Sequence, residues 1–242
     1  MELLALQADA LFTRDARGRL VAENAPGGSP APDLYIAAGA GGNRCWFGRD
    51  VSDDAAAAVA ALHAPLRELE EVRALPLAAL AQALGGGGVA HRALDVHLCF
   101  VLERQAAPVG AAELVLSGTA AAVELAERVR RDGMPAEVVE AGFPVMEEFW
   151  EPWCIALVGG EMAATAFAAR LGKDAADVGV YTFPRFRGRR LAGAVTAAWS
   201  VHPALGTRTL FYGTAVTNLA SQAVARHLGL PLVGTSVAIT RE

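Results

Sequence analysis

A chain of 242 residues, of which 53% are hydrophobic, holds enough apolar side chains for one large or two small folded domains. This composition excludes a protein that is disordered over most of its length, and the net charge of −5 argues against nucleic acid as a partner. The chain has no run of eighteen apolar residues and no basic N-terminal region before an apolar core, so we expect no membrane span, no signal peptide and a cytoplasmic protein.

The N-terminal part predicts a mixture of short strands and helices. Residues 1–20 predict a helix or a strand that ends in a turn. An alanine-rich helix is capped at 52–54 and runs to about Leu62, because serine and aspartate accept hydrogen bonds from the first helical N–H groups. The other elements predicted here are strands at 20–23, 34–36, 44–47 and 96–103 and a helix at 75–84.

The C-terminal part predicts a helix, a three-stranded meander and two helix–strand units. Ser117 or Thr119 caps a helix that runs to Arg131, and Gly133 ends it. The meander strands are predicted at 154–158, 162–170 and 176–183, followed by a helix at 191–201, a strand at 209–213, a helix at 218–228 and a strand at 231–240. This order favours a layered sheet of six or seven strands flanked by helices from about residue 111.

The segment from Val178 to Gly193 has the pattern of a phosphate-binding loop. A β-rich run ends at Pro184, a short loop of arginine and glycine follows, and an apolar helix begins directly behind it. This order brings unpaired main-chain N–H groups to a helix N-terminus, and the arginines add charge-assisted contacts to the same anion. A solvated basic turn is the alternative interpretation.

The loop resembles that of the GNAT superfamily of N-acetyltransferases, in a match that extends over roughly residues 150–242. The family pattern is Gln/Arg-x-x-Gly-x-Gly/Ala, and this chain has Arg187 at the first position and Ala192 at the last. Arg190 replaces the middle glycine. Because arginine carries a Cβ, it resists the positive φ that glycine adopts freely.

A second motif follows in the order that the family has. Asn218, Ser221 and the run 228–230 match the segment Asn-x-x-Ala/Ser followed by Leu-Gly-Phe. The resemblance implies an α/β (α+β) fold, with a GNAT-like mixed, mostly antiparallel twisted sheet flanked by helices in residues 111–242. A smaller N-terminal α/β lobe would occupy residues 1–110, and it faintly resembles the truncated partner lobe of two-part GNAT proteins.

The resemblance implies acetyl-CoA as a cosubstrate. In the family, the fourth strand splays from the fifth, pantetheine pairs with its free edge, and the loop after it holds the pyrophosphate. The acetyl-CoA-binding residues implied here are Val180, Tyr181, Thr182, Arg187, Gly188, Arg189, Arg190, Leu191, Ala192, Gly193, Asn218 and Ser221. An ordinary buried strand is the alternative for 180–182, since these residue types favour strands regardless, and Ser221 is alternatively only a small helix residue.

Acetyl transfer to an amine needs a base for the ammonium and an acid for the departing thiolate. The family often places a tyrosine acid seven residues after its asparagine, where this chain has Ala225. We expect Tyr212 to replace it, with Ser221 and His227 as alternatives, and Asp177 to take the amine proton through a water. The side chains that would line the acceptor side, or alternatively be solvated acids and core tryptophans, are Glu147, Glu148, Trp150, Glu151 and Trp153.

The three cysteines, Cys45, Cys99 and Cys154, lie far apart and lack the spacing of a zinc site or a disulfide framework. We expect buried thiols and no metal. None of the cysteines is adjacent in sequence to an activating cluster of histidine or arginine. Because a thiol nucleophile needs such activation, we expect direct transfer without an acetyl-enzyme.

The leading function is therefore an acetyl-CoA-dependent N-acetyltransferase that moves an acetyl group directly to a primary amine of a small molecule or peptide. A CoA-binding regulatory or interaction protein with little or no catalytic activity is the alternative, and both Ala225 and Arg190 favour it. A nucleotide-binding α/β protein unrelated to acyl transfer is a third. The partner is expected to be an amine acceptor, with no nucleic acid and no membrane, and a homodimer is compatible with the resemblance.

Overall fold

The computed structural model of the protein describes residues 1–62, 71–72, 74–85, 90–93, 96–107, 110 and 112–241. The helices of this part are α1 Glu2–Leu11, α2 Asp53–Leu62, α3 Leu77–Leu84, α4 Ala120–Asp132, α5 Ala136–Glu140, α6 Leu191–Ser200 and α7 Leu219–His227. The strands are β1 Phe12–Arg14, β2 Leu20–Glu23, β3 Leu34–Gly39, β4 Gly42–Phe47, β5 His91–Ala93, β6 His97–Val101, β7 Glu113–Leu116, β8 Trp153–Val158, β9 Glu161–Leu171, β10 Ala175–Thr182, β11 Thr209–Ala215 and β12 Leu232–Arg241. Single 3-10 turns lie at Met146–Glu148, Pro184–Phe186 and Pro203–Leu205.

Ten of the described strands form one sheet, and β1 and β2 form a separate hairpin. The order across the sheet is β4-β3-β12-β6-β11-β10-β9-β8-β7, with β5 beside β12. Among the described strands of this sheet, β10 and β11 are the parallel pair, and the other pairs are antiparallel. The predicted fold class, a mixed and mostly antiparallel sheet flanked by helices, is confirmed.

The sheet runs across the domain boundary that the sequence suggests. β6, which precedes residue 111, pairs with both β11 and β12, and β12 at the end of the chain lies between β6 and β3. Residue 111 itself lies outside the described residues. The division into residues 1–110 and 111–242 stays a prediction, and the N-terminal strands are part of the sheet on which the candidate site lies.

The two faces of the sheet are covered by different helices. Ala176 and Tyr212 point towards the core that includes α6, whereas Ala175 and Phe211 point towards the core that includes α1. Neighbouring residues take opposite faces because side chains alternate along a strand. These two sides of the sheet are called the α6 face and the α1 face.

Local sequence patterns placed most of these elements within a few residues. Thr119 rather than Ser117 caps α4, because its hydroxyl accepts a hydrogen bond from the N–H of Ala122. The Ser117 hydroxyl instead accepts one from the N–H of Trp153. No element was predicted at β5, β7 or α5, whose three to five residues are too few to show a period.

Candidate functional site

The site is centred on a gap between two neighbouring strands. β10 and β11 pair only between 175–177 and 209–211, although β10 continues to Thr182 and β11 to Ala215. The separation begins where the pairing of β9 with β10 shifts register between Asp177 and Val178. Such an irregularity increases strand twist, so it turns β10 away from β11. The free edge that results can pair with an extended ligand.

The loop after β10 presents main-chain donors to one point. Gly188 has a φ of 77° and Arg190 a φ of 60°, and α6 begins at Leu191. Within the described part of the chain, no oxygen accepts a hydrogen bond from the N–H groups of residues 188–193. Left-handed residues before a helix N-terminus form a concave group of donors that suits an anion.

Arg190 adopts the conformation of the glycine that it replaces. It is the only described residue other than glycine with a positive φ. A left-handed conformation costs a residue with a Cβ roughly 1–2 kcal/mol. The substitution therefore retains the shape of the loop at the expense of stability, and it adds a guanidinium beside the donors.

Arg190→Gly is expected to raise the free energy of unfolding by about 0.5–1 kcal/mol, because relief of the left-handed strain exceeds the entropy that glycine loses on folding. Arg187→Gly is the control, since Arg187 has a φ of −62° and gains nothing from glycine. Urea unfolding of the three proteins measures the difference. A loss of stability in Arg190→Gly equal to that in Arg187→Gly would contradict the assigned backbone conformation.

A cleft of about 500 Å³ extends from the loop to the strand gap. Every predicted acetyl-CoA residue except Gly193 lines it: Val180, Tyr181, Thr182, Arg187, Gly188, Arg189, Arg190, Leu191, Ala192, Asn218 and Ser221. A second cavity of about 290 Å³ lies in the gap itself and shares Val180, Tyr212, Asn218 and Ser221 with the cleft. The two spaces therefore adjoin, and together they lead from the loop donors to the gap.

The arginines of the loop differ in what they contact. Arg185 is held by the carboxylates of Glu137 and Glu161. Among the described residues, no carboxylate forms an ion pair with Arg187, Arg189 or Arg190. Two of the three have other partners: Arg187 Nε donates a hydrogen bond to the Thr182 carbonyl at 3.3 Å, and the Arg189 guanidinium lies over the Phe186 ring. Arginine can bind a phosphate with two parallel hydrogen bonds.

Tyr212 lines the cleft, and its hydroxyl contacts helix α7. Its hydroxyl lies 2.7 Å from the hydroxyl of Ser221, and Ser221 donates its N–H to Asn218 Oδ1 at 3.0 Å. Burial raises the pKa of the Tyr212 phenol above its ordinary value, and the Ser221 hydrogen bond opposes this only in part. The phenol is therefore protonated at neutral pH and suits an acid.

Asp177, the predicted base, lies outside the cleft. Asp177 is 7% exposed, and its carboxylate accepts a hydrogen bond at 3.3 Å from the Gln7 amide of α1. Burial raises the pKa of this carboxyl, against the hydrogen bonds from Gln7 and the Gly213 N–H. A proton from an amine in the gap would thus have to reach Asp177 through another group.

The remaining predicted residues fall into three places. Gly193 is buried in α6, where an added Cβ would meet His227 at 3.4 Å, and Ala225 is fully buried. Trp150 packs edge-on to Phe167 at 6.2 Å between ring centroids. A separate cavity of about 490 Å³ beside α4 is lined in part by Glu147, Glu151 and Trp153, but not by Glu148.

Sequence reasoning missed His97, which lines the gap cavity. Its strand was predicted, but local patterns do not show that β6 lies next to β11. Phe186, Ala220 and Val224 also line the cleft. They were missed because single apolar residues on a loop and a helix carry no chemical signature.

The cysteines do not take part in the site. Burial raises the pKa of Cys45 and of Cys154 to about 12 and that of Cys99 well above its ordinary value. No cluster of three metal-ligating side chains is present among the residues that the structure describes. In the same part of the chain, no helix has the length and apolar character needed to span a membrane.

No protein-family model and no curated protein matches this sequence. Solved structures do match, among them a GCN5-related N-acetyltransferase from Kribbella flavida, with 16% identity, a TM-score of 0.49 and coverage of 99% of this chain and 94% of that one. A putative GNAT-family acetyltransferase from Novosphingobium aromaticivorans has 16% identity and a TM-score of 0.42, over 63% of this chain and 68% of that one.

A third match is RimL, a ribosomal L7/L12 alpha-N-protein acetyltransferase in complex with coenzyme A, with 16% identity and a TM-score of 0.33. It covers 55% of this chain and 96% of that one. The sheet itself, mixed, mostly antiparallel and open between β10 and β11, agrees with the fold that the motifs implied, and these three solved structures that resemble the chain are described as acetyltransferases.

Proposed function

We propose that this protein is an acetyl-CoA-dependent N-acetyltransferase that moves an acetyl group directly to a primary amine of a small molecule or peptide. The observation that carries the proposal is the pair of adjoining cavities that extend from the loop donors at 188–193 to the gap beside β10. A CoA molecule fits this arrangement, because it has phosphates at one end for the loop donors, an extended pantetheine with amide groups for the edge of β10, and a thiol at the other end. We also propose a cytoplasmic location.

The residues of the chain divide this task by position. The N–H groups of 188–193 and Arg187, Arg189 and Arg190 bind the pyrophosphate, and the free edge at 180–182 pairs with the pantetheine amides. Acetyl-CoA supplies the activated thioester. Tyr212, at the junction of cleft and gap, donates a proton to the departing thiolate, and Ser221 orients its hydroxyl.

A thermal-shift titration with CoA, followed by thiol release from acetyl-CoA with a panel of primary amines, tests the proposal. We expect stabilisation by CoA and thiol release that depends on an amine. Binding without turnover would favour the alternative, a CoA-binding regulatory or interaction protein, which the alanine at position 225 supports. Stabilisation by ATP or NAD but not by CoA would favour a nucleotide-binding protein instead.

Transfer is expected to be direct, because the three thiols have raised pKa values and are protonated at neutral pH. Incubation of the protein with acetyl-CoA alone, followed by intact-protein mass spectrometry, should show no acetyl group on any cysteine. An acetyl group on a cysteine that a primary amine then removes would overturn direct transfer. The same experiment on the urea-unfolded chain confirms that an acetylated cysteine would be detected.

A further inference from the structure

The gap contains one imidazole that the proposed function does not yet use. The first residue of β6, His97, pairs with Ala215 of β11. It lines the gap cavity together with Gly179 of β10 and with Gly213 of β11. His97 is also an exposed residue. The N-terminal half of the chain therefore supplies a titratable group to the lining of the gap cavity, opposite the last residue of β11.

His97 and Tyr212 both line the gap cavity and lie on opposite faces of the sheet. Cys99, two residues further along β6, packs on the α1 face with Phe211, and alternation puts His97 on that same face. Tyr212 packs on the α6 face. A thioester in the gap would therefore have the phenol on one side and the imidazole on the other. This suits a reaction in which the leaving group and the attacking amine need separate proton carriers.

Behind His97 on the α1 face lies the buried carboxylate of Asp177. Gly213 of β11 lies next to Asp177 on this face, and a Cβ at Gly213 would be 3.5 Å from Asp177 Oδ2. Asp177 and His97 attract each other electrostatically. Gln7 of α1 holds this carboxylate by a hydrogen bond, so its position relative to the imidazole is fixed.

We propose that His97 is the general base that takes the proton from the acceptor ammonium, and that Asp177 is a positioning residue that stabilises the charged imidazole. The inference rests on the proposed function and deepens it. The imidazole takes one proton of the ammonium, and the neutral amine forms the C–N bond as the C–S bond breaks. Of the two remaining amine protons, one stays on the amide and the other ends on the sulfur by way of Tyr212. The imidazole then releases its proton to water.

On the α1 face, Arg170 of β9, Tyr35 of β3 and Cys99 of β6 interact electrostatically with Asp177, as His97 does. On α1, Gln7 faces the sheet, whereas Glu2 and Asp9 are exposed and Asp9 pairs with Arg14. Of these groups, Asp177 is the acid that interacts with the imidazole.

The activity test compares His97→Gln, Asp177→Asn and the control His91→Gln, with the most rapidly acetylated amine of the panel. His91 lies on β5 beside Asp33, outside the cleft and the gap. In the wild type, kcat/KM should rise with pH as the base loses its proton. His97→Gln should lower kcat/KM by about 10²- to 10⁴-fold and abolish this rise, whereas CoA affinity by calorimetry should not change. Asp177→Asn should lower kcat with little change in CoA affinity.

A second readout needs no turnover. Diethyl pyrocarbonate should modify His97 in the substrate-free protein, as peptide mass spectrometry would show, and saturating CoA should slow this reaction. Equal modification rates with and without CoA would overturn the placement of His97 at the thioester end of the cleft. Free imidazole should partly restore the activity of His97→Ala, which a merely structural histidine would not explain.

The two proposals fail in different ways. If the wild type binds CoA and acetylates an amine while His97→Gln keeps its rate and pH profile, His97 is not the base and the proposed function stands. If the wild type neither binds CoA nor releases thiol with any amine, both proposals are overturned. Circular dichroism and thermal melting of each variant show whether a lost activity reflects a lost fold.

Discussion

Gly188→Pro is expected to weaken CoA binding by about 10- to 100-fold. Proline removes the N–H of residue 188 and imposes a φ near −65°, whereas Gly188 has a φ of 77°. One charge-assisted hydrogen bond contributes roughly 1.5–3 kcal/mol, and each 1.4 kcal/mol is a factor of ten in affinity. The effect arises at residue 188 itself, since Arg187 already has the extended conformation that a following proline requires.

Calorimetric titration with CoA measures this loss, with Gly18→Pro as the matched control. Gly18 has the same φ of 77°, but it lies in the turn between β1 and β2, away from the cleft. The control should lose stability and keep its CoA affinity. If Gly188→Pro binds CoA as tightly as the control does, the loop is not the pyrophosphate site.

Tyr212→Phe is expected to lower kcat by about 10²- to 10⁴-fold, the range for loss of a general acid. CoA affinity and stability should change little, because the substitution removes only the hydroxyl that contacts Ser221. The pKa of this phenol is raised by burial, so the acid keeps its proton up to a pH above that of a free tyrosine. The wild-type rate should therefore not decline through loss of this proton near neutral pH.

Tyr181→Phe is the matched control in the same cleft, since Tyr181 lines it and its aromatic ring packs against Phe143 and Phe183. Its kcat should stay close to that of the wild type. The kcat of Ser221→Ala should lie between those of Tyr212→Phe and Tyr181→Phe, because the phenol remains but loses its hydrogen-bond partner. A Tyr212→Phe variant as active as Tyr181→Phe would remove Tyr212 from the mechanism.

The parts of the site that the sequence predicted depend on residues close together in the chain. The strand, loop and helix around 180–193 were predicted because glycine, arginine and an apolar run follow one another there. The cap at Asn218 also depends on neighbours in the chain, since its oxygen accepts a hydrogen bond from the N–H of Ser221 three residues on. The positive φ of Arg190 shows the limit of this approach: its residue type disfavours the conformation, and the loop and α6 impose it.

The chemistry of the strand gap depends on pairings between residues far apart in the chain. Asp177 looked available on its strand, but Gln7, 170 residues away in sequence, covers it. His97 showed no pattern of its own, and it reaches the gap because β6 lies between β11 and β12.

The sequence by itself therefore determined the secondary structure around the loop, the candidate phosphate-binding residues and the alanine at position 225, where the resemblance implied a tyrosine. Only the tertiary structure decided which titratable groups face the gap and which are buried behind it. The physical reason is that periodicity and capping act within a few residues, whereas strand order and burial are set by the packing of the whole sheet and its helices.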